Sequence, residues 1–242
     1  MSDREINYFV MRRLGASASR LRRCQARNHF RRQRMRWHWE VTKDHWLKRL
    51  LDVVFSATVL VFLAPLFLLI GLLIKLEDGG PILFTQIRVG KYGRHFKMYK
   101  FRSMCLDAEK RLEALKARNQ HSEGVTFKIK DDPRITRVGR WLRKFSMDEL
   151  PQFYNVLRGD MSLVGPRPPV PREVALYSPA DRRRLAVAPG ITCFWQISGR
   201  SEIDFSGQVA LDLRYIESQS FWVDLKIAAK TVPAVLSGRG AC

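Results

Sequence analysis

Twenty-two consecutive residues without a charge, Val53 to Ile74 (VVFSATVLVFLAPLFLLIGLLI), constrain this chain more than any other feature. As one helix they would extend ~33 Å at ~1.5 Å per residue, close to the thickness of a bilayer's hydrocarbon core. The run is apolar all round instead of striped, which argues against a buried helix of a soluble domain. It follows a long polar and charged stretch, so it does not read as a cleavable signal peptide. Two features oppose a straight crossing. Pro65 sits near the midpoint, where a missing N–H and a ring clash cost a helix ~3 kcal/mol in water. Both flanks are basic, with Lys48 and Arg49 before and Lys75, Arg88, Lys91 and Arg94 after, whereas a single span leaves one basic flank on the wrong side. A helix that enters, bends at Pro65 and leaves through the same face satisfies both observations. An ordinary Pro-kinked span is the alternative.

The 242 residues, 46% hydrophobic and 27% charged, suffice for one domain with a sizeable core plus appendages. They exclude wholesale disorder and a many-helix transporter. Lys and Arg number 43 against 23 Asp and Glu, a net charge of +20. A polyanion is the expected partner, whether lipid headgroups, nucleic acid or a phosphorylated small molecule. Eight arginines lie between Arg20 and Arg36, followed by Trp37, Trp39 and Trp46 just ahead of the apolar run. Cations on anionic headgroups and indoles at the boundary suit an interfacial helix. Nucleic-acid binding by this arm competes but is disfavoured by its place beside the apolar run, and a solvated tail is compatible with either. Cys24, Cys105, Cys193 and Cys242 lie far apart and read as reduced cytosolic thiols. His29, His38 and His45 stand among arginines that would repel a metal.

Three segments are expected: a partly disordered or interfacial arm over 1–44, the membrane helix broken at Pro65 over 45–76, and a cytosolic domain over 77–242. Within the last, ILFTQIRVG and HFKMYKFRSM around Gly90-Lys91-Tyr92-Gly93 predict a hairpin. Leu106, Leu112 and Leu115 predict an amphipathic helix over 104–119, and 121–133 reads as a loop. Residues 205–217 and 221–236 read as helices, the last carrying Phe221, Trp222, Leu225, Ile227 and Val235 for a membrane surface. Pro189-Gly190 and Gln196 to Arg200 read as turns.

The densest stretch is DDPRITRVGRWLRKFSMDELPQFYNVLRGDMSLVGPRPP, Asp131 to Pro169. Ile135, Val138, Leu142 and Phe145 share a helix face, and Arg134, Arg137, Arg140 and Arg143 recur on a neighbouring stripe. Those four cations call for anions opposite them or for solvent. Ser146-Met147-Asp148-Glu149 matches a capping box opening a helix that continues through Gln152 to Leu157. A helix start and nearby arginines should hold Asp148 and Glu149 both ionised at neutral pH. Such carboxylates can bind Mg²⁺ or attack phosphorus; they can equally be first-turn acids and a cap. Gly165-Pro166-Arg167-Pro168-Pro169 stiffens the backbone around one guanidinium suited to a phosphate fork, or is an ordinary Pro-rich loop. No Walker loop, dinucleotide fingerprint, serine elbow or internal repeat is present.

Over residues 45–242 the apolar hairpin with its central proline, Tyr99-Lys100-Phe101-Arg102-Ser103-Met104, the DPRITRVGRWLRKFSMDELPQFYNVLRGDMSLVGPRP stretch, PGITCFWQISGR and DLKIAAKTVPAVLSGRGA resemble the bacterial sugar transferases. These are monotopic polyprenyl-phosphate phosphoglycosyl transferases, here of the exopolysaccharide-initiating type. The expected fold is mainly α with a small β-hairpin (α+β): a re-entrant membrane helix hairpin and a compact cytosolic catalytic domain with interfacial amphipathic helices. The resemblance implies transfer of a sugar 1-phosphate, glucose or galactose, from a UDP-sugar to undecaprenyl phosphate with release of UMP. Mg²⁺ would be the cofactor, and the cytoplasmic face of the bacterial inner membrane the location. It makes Asp148 and Glu149 catalytic, with Asp148 the nucleophile and a metal ligand. Lys100, Arg102, Arg143, Arg167, Arg200 and Asp212 fall on motif positions and are assigned to substrate binding. A homodimer is compatible with the sequence, which does not specify it. One departure stands out: the family often breaks its membrane helix at Ser-Pro, and this chain has Ala64-Pro65.

Overall fold

The computed structural model describes residues 46–108, 110–111, 132–198 and 203–236. The N-terminal arm, most of the expected 104–119 helix, residues 121–131 of the expected loop and Arg200 lie outside the described residues. Met1–Lys48 forms a unit of its own, and the architecture below belongs to the second unit, Arg49–Cys242.

The apolar run forms two helices, α1 (Trp46–Phe62) and α2 (Ala64–Asp78), bent by 60° at Leu63. The bend falls where the sequence puts its proline: Pro65 is in the first turn of α2, where a missing N–H costs least. Leu63 N–H still donates to Val59 O and Phe67 N–H to Leu63 O, both at 2.9 Å, so the ladder is re-established on each side of the break. Neither helix alone is long and apolar enough to cross a membrane. Each has an inner face packed on protein, with Asp52 and Ser56 on α1 and Ile70, Gly71 and Ile74 on α2. Each leaves large apolar side chains bare around the bend, among them Val61, Phe62 and Leu68, all more than 70% exposed.

The predicted hairpin is present. β1 (Leu83–Val89) pairs antiparallel with β2 (His95–Phe101), in register from Leu83 opposite Phe101 to Val89 opposite His95. Tyr92 and Gly93 turn the chain at positive φ, 57° and 80°. Next come α3 (Arg137–Lys144), α4 (Gln152–Arg158), β3 (Ser162–Val164), α5 (Pro171–Ala175), β4 (Gly190–Thr192), α6 (Phe194–Ser198), α7 (Phe205–Ser218) and α8 (Phe221–Leu236). Helices dominate, with two small sheets. Three sequence expectations need correcting. Gly190 opens a strand, Gln196 to Ser198 belong to α6, and Arg134 lies outside α3, buried against Asp132 instead of joining an exposed arginine stripe.

β3 and β4 are parallel neighbours, joined by Ser162 N–H to Pro189 O at 2.8 Å and Gly190 N–H to Pro166 O at 2.9 Å. A Cβ on Gly190 would fall inside contact distance of the Gly165 backbone, so only glycine lets the two segments close. α7 and α8 are tied to this sheet by Tyr215, whose buried hydroxyl lies 3.0 Å from Val164 O and 2.8 Å from Asp224 Oδ1. On the other side, α4 is clamped to β2 by Asn155, fully buried. Its amide donates to Lys97 O at 2.7 Å and accepts from Tyr99 N–H at 3.0 Å. A buried amide that satisfies two strand-edge groups fixes register as well as contact. That register puts Lys100 beside the segment preceding α4.

Candidate active site

Asp148 and Glu149 sit on a single 3₁₀ turn, Met147–Glu149, between α3 and α4. The expected capping box does not form. Ser146 takes a left-handed conformation (φ 54°) with no side-chain cap, and the Glu149 carboxylate is drawn away to Lys100 Nζ at 2.6 Å. α4 therefore starts only at Gln152, behind Pro151.

The two carboxyls, expected to be alike, differ. Burial alone would raise Glu149, but Lys100, Arg167 and Arg88 outweigh it and bring its pKa down to about 2. For Asp148, 7% exposed, burial prevails and pushes the pKa above the ordinary carboxylate range; Glu149 adds to the rise, and Lys100, Arg143 and Arg167 oppose it. Among the described residues Asp148 makes no hydrogen bond. Neither of its oxygens is sealed from solvent without a partner. One carboxylate is thus a fixed counter-ion, and the other is left with its lone pairs uncommitted.

Opposite them stands a wall of cations. Arg167, in the proline-braced loop, has no hydrogen-bond or ion-pair partner among the described residues and rests its guanidinium over the Trp195 ring, 5.9 Å from the centroid. Its fork of N–H donors is free for an anion. Arg88 on β1 donates to Pro168 O at 2.9 Å, and burial and Arg167 lower its pKa to about 10. Burial likewise lowers Lys100 despite Glu149. Arg88, Lys100, Glu149, Gln152, Arg167 and Gln196 line one cleft with Met98, Pro168, Gly190 and Ile191. Gln152 is buried there, its side chain without a hydrogen bond among the described residues.

Lys100 and Arg167 line this cleft with Glu149, whereas Asp148 and Arg143 are not among its lining residues; Lys100, Arg143 and Arg167 all act on Asp148 through their charge. Arg102 and Asp212 do not line the cleft. Arg102 is buried in an ion pair with Asp78 at the end of α2. Asp212 is buried in an ion pair with Arg184, whose guanidinium lies over Tyr177 and Phe205 at 5.6 and 5.8 Å. Burial raises the Asp212 pKa to about 6 against the pull of Arg184. Their placement makes these two residues braces of α2 and α7. Arg88, Gln152 and Gln196, read from the sequence only as a basic flank, a helix position and a turn, were not singled out as site residues. For Arg88 the alternation of β1 offered a signal, because it shares the inward face with Phe84 and Gln86.

No group of three or more His, Cys, Asp or Glu side chains converges on a metal position among the described residues. With Glu149 engaged by Lys100, Asp148 is the carboxylate left to serve as a ligand. A single carboxylate fits Mg²⁺, which keeps several waters and takes substrate phosphates as its remaining donors.

Several known proteins are similar to this chain in sequence. The galactosyl transferase CpsE of Streptococcus agalactiae is 55% identical over 166 residues, covering 68% of this chain and 37% of that protein. The exopolysaccharide production protein ExoY of Sinorhizobium fredii is 44% identical over 197 residues, 80% of this chain and 87% of that protein. The undecaprenyl-phosphate galactose phosphotransferase of Salmonella typhimurium is 42% identical over 201 residues, 82% of this chain and 42% of that protein. This chain therefore spans well under half of two of these relatives and most of the third. Residues 43–238, containing the bent pair, the dyad turn and the cleft, match the family described as bacterial sugar transferase, and the chain belongs to that family.

Proposed function

We propose that this chain transfers a sugar 1-phosphate, galactose or glucose, from a UDP-sugar to undecaprenyl phosphate and releases UMP, so initiating exopolysaccharide or another lipid-linked glycan. The observation that carries it is Asp148: a buried carboxyl free of hydrogen bonds, in the field of Lys100, Arg143 and Arg167. In the first step an Asp148 oxygen attacks the β-phosphorus of the donor. The bond from that phosphorus to the oxygen bridging the two phosphates breaks, and the oxygen leaves with UMP. A phosphosugar remains esterified to Asp148. In the second step a phosphate oxygen of undecaprenyl phosphate attacks the same phosphorus, the bond to Asp148 breaks, and the carboxylate is restored. Dividing the displacement avoids holding two anionic substrates together.

Burial makes the Asp148 carboxylate a stronger base and nucleophile, and the facing cations keep its ionised form accessible. Arg167 and Arg88 hold the phosphoryl oxygens as charge builds on them. Glu149 keeps Lys100 charged and in place. Mg²⁺, held through Asp148 and donor phosphates, would neutralise further phosphate charge. The bare apolar residues at the bend favour a re-entrant hairpin dipping into the cytoplasmic leaflet of the inner membrane, with anionic headgroups as partners of the basic flanks. Such a hairpin would bring a water-soluble donor and a lipid acceptor to one boundary. Replacing Asp148 by Asn should abolish UMP release from UDP-galactose and UDP-glucose in vesicles containing undecaprenyl phosphate. Full activity in that variant would contradict the assignment.

A further inference from the structure

The dyad turn is the middle of a strut. α3 ends just before it, α4 begins just after it, and the outer end of each helix is bound by the bent α1–α2 pair. At the start of α3, the Glu77 carboxylate of α2 accepts from the Arg137 and Val138 amides at 2.8 and 3.2 Å. At the end of α4, the Arg49 guanidinium of α1 donates to the Val156 and Leu157 carbonyls at 2.6 and 2.8 Å. Each charge has the sign its terminus attracts, an anion for unpaired N–H groups and a cation for unpaired C=O groups. Asp52, buried on α1, fastens the same arm to β3 through Leu163 N–H at 3.0 Å.

Between these ends the contacts keep one order. Phe55 meets Phe153 with ring centroids 6.0 Å apart. Leu66 and Phe67, just past Pro65, join Met147 and Leu150, which bracket the dyad, in one apolar cluster around Ile70, Ile74, Phe101 and Leu142. The strut thus runs antiparallel along the bent pair from one anchor to the other, with the dyad turn beside the bend.

We propose that the bent pair sets the geometry of the dyad, with Arg49 and Glu77 as positioning residues that hold the strut at its two ends. The bend fixes the separation of the anchors, and the anchors fix where the turn presents Asp148. A misplacement of ~1 Å can cost on the order of 10²-fold in rate, so the effect belongs in kcat and not in donor binding. The kinetic consequence rests on the proposed reaction; the tethering does not.

The test uses the full chain in vesicles, with Arg49→Met and Glu77→Met as removals and Arg49→Lys and Glu77→Gln as conservative replacements. With UDP-galactose as donor, the removals should lower kcat for UMP release by about 10- to 100-fold while donor KM stays within about threefold. The conservative replacements should recover most of the loss and keep the question answerable if a removal does not fold. Independently of activity, hydrogen exchange at residues 146–150 should quicken in the removals while β1 and β2 keep their protection. Unchanged kcat in folded variants, or faster exchange confined to the helix ends, would overturn the proposal. Quickened exchange at the dyad turn in a protein whose wild type releases no UMP would uphold the tethering and contradict the reaction instead.

Discussion

Adjacent carboxyls that share Lys100 and Arg167 shift in opposite directions because Glu149 has a cation within hydrogen-bond reach, whereas at Asp148 burial outweighs the surrounding charges. Glu149 sits at about 2 against an ordinary 4.5. A depressed carboxyl contributes stability that is complete above pH ~4.5 and is lost as the pH falls towards ~2. Glu149→Gln should therefore destabilise the protein near neutrality, a deficit that vanishes on acidification, as denaturant titrations at several pH values would show. At Arg167, Lys keeps the charge but not the fork, so Arg167→Lys should raise donor KM by about tenfold, corresponding to the loss of one charge-assisted bond. Steady-state kinetics would reveal it, and an unchanged KM would remove Arg167 from the phosphate wall. Asp148, Glu149 and Arg167 could be singled out as candidates because they stand in short local motifs, although spacing alone left a cap and a Pro-rich loop as alternatives. The split between the carboxyls was not legible, since Lys100 arrives from another element, and Arg102 and Asp212 find ion-pair partners that spacing does not reveal.

At the scale of elements, the hairpin and the two long helices were readable because alternation and helical period dominate there. The capping box failed because a local signal competed with a tertiary partner: the Glu149 side chain that should have closed the box serves Lys100. The parallel pair β3 and β4 escaped notice because three-residue strands carry no period, and its logic lies in glycines meeting across the chain. That contact is testable. Gly190→Ala should destabilise the protein by roughly 1–3 kcal/mol through overpacking and lower activity by displacing the loop that carries Arg167, as urea unfolding followed by UMP-release assays would show. Wild-type stability would mean that the approach of Gly165 to Gly190 has slack.

For the whole molecule, the sequence located the bend through one proline but not what it braces, because the strut is assembled from segments some 60 to 110 residues away from its anchors. If the pair is re-entrant, both of its ends face the cytoplasm. Cysteines placed at the exposed Trp46 and Tyr92 positions should resist an impermeant thiol reagent added outside spheroplasts and react in inverted vesicles; labelling of one alone from outside would indicate a full crossing. The most direct test of the central chemistry needs no acceptor at all. Incubating the enzyme with UDP-galactose alone, quenching in acid and measuring intact and peptide masses should find one hexose phosphate on the peptide containing Asp148, absent from Asp148→Asn. An adduct on another residue, or none from an enzyme that turns over when acceptor is supplied, would contradict the account.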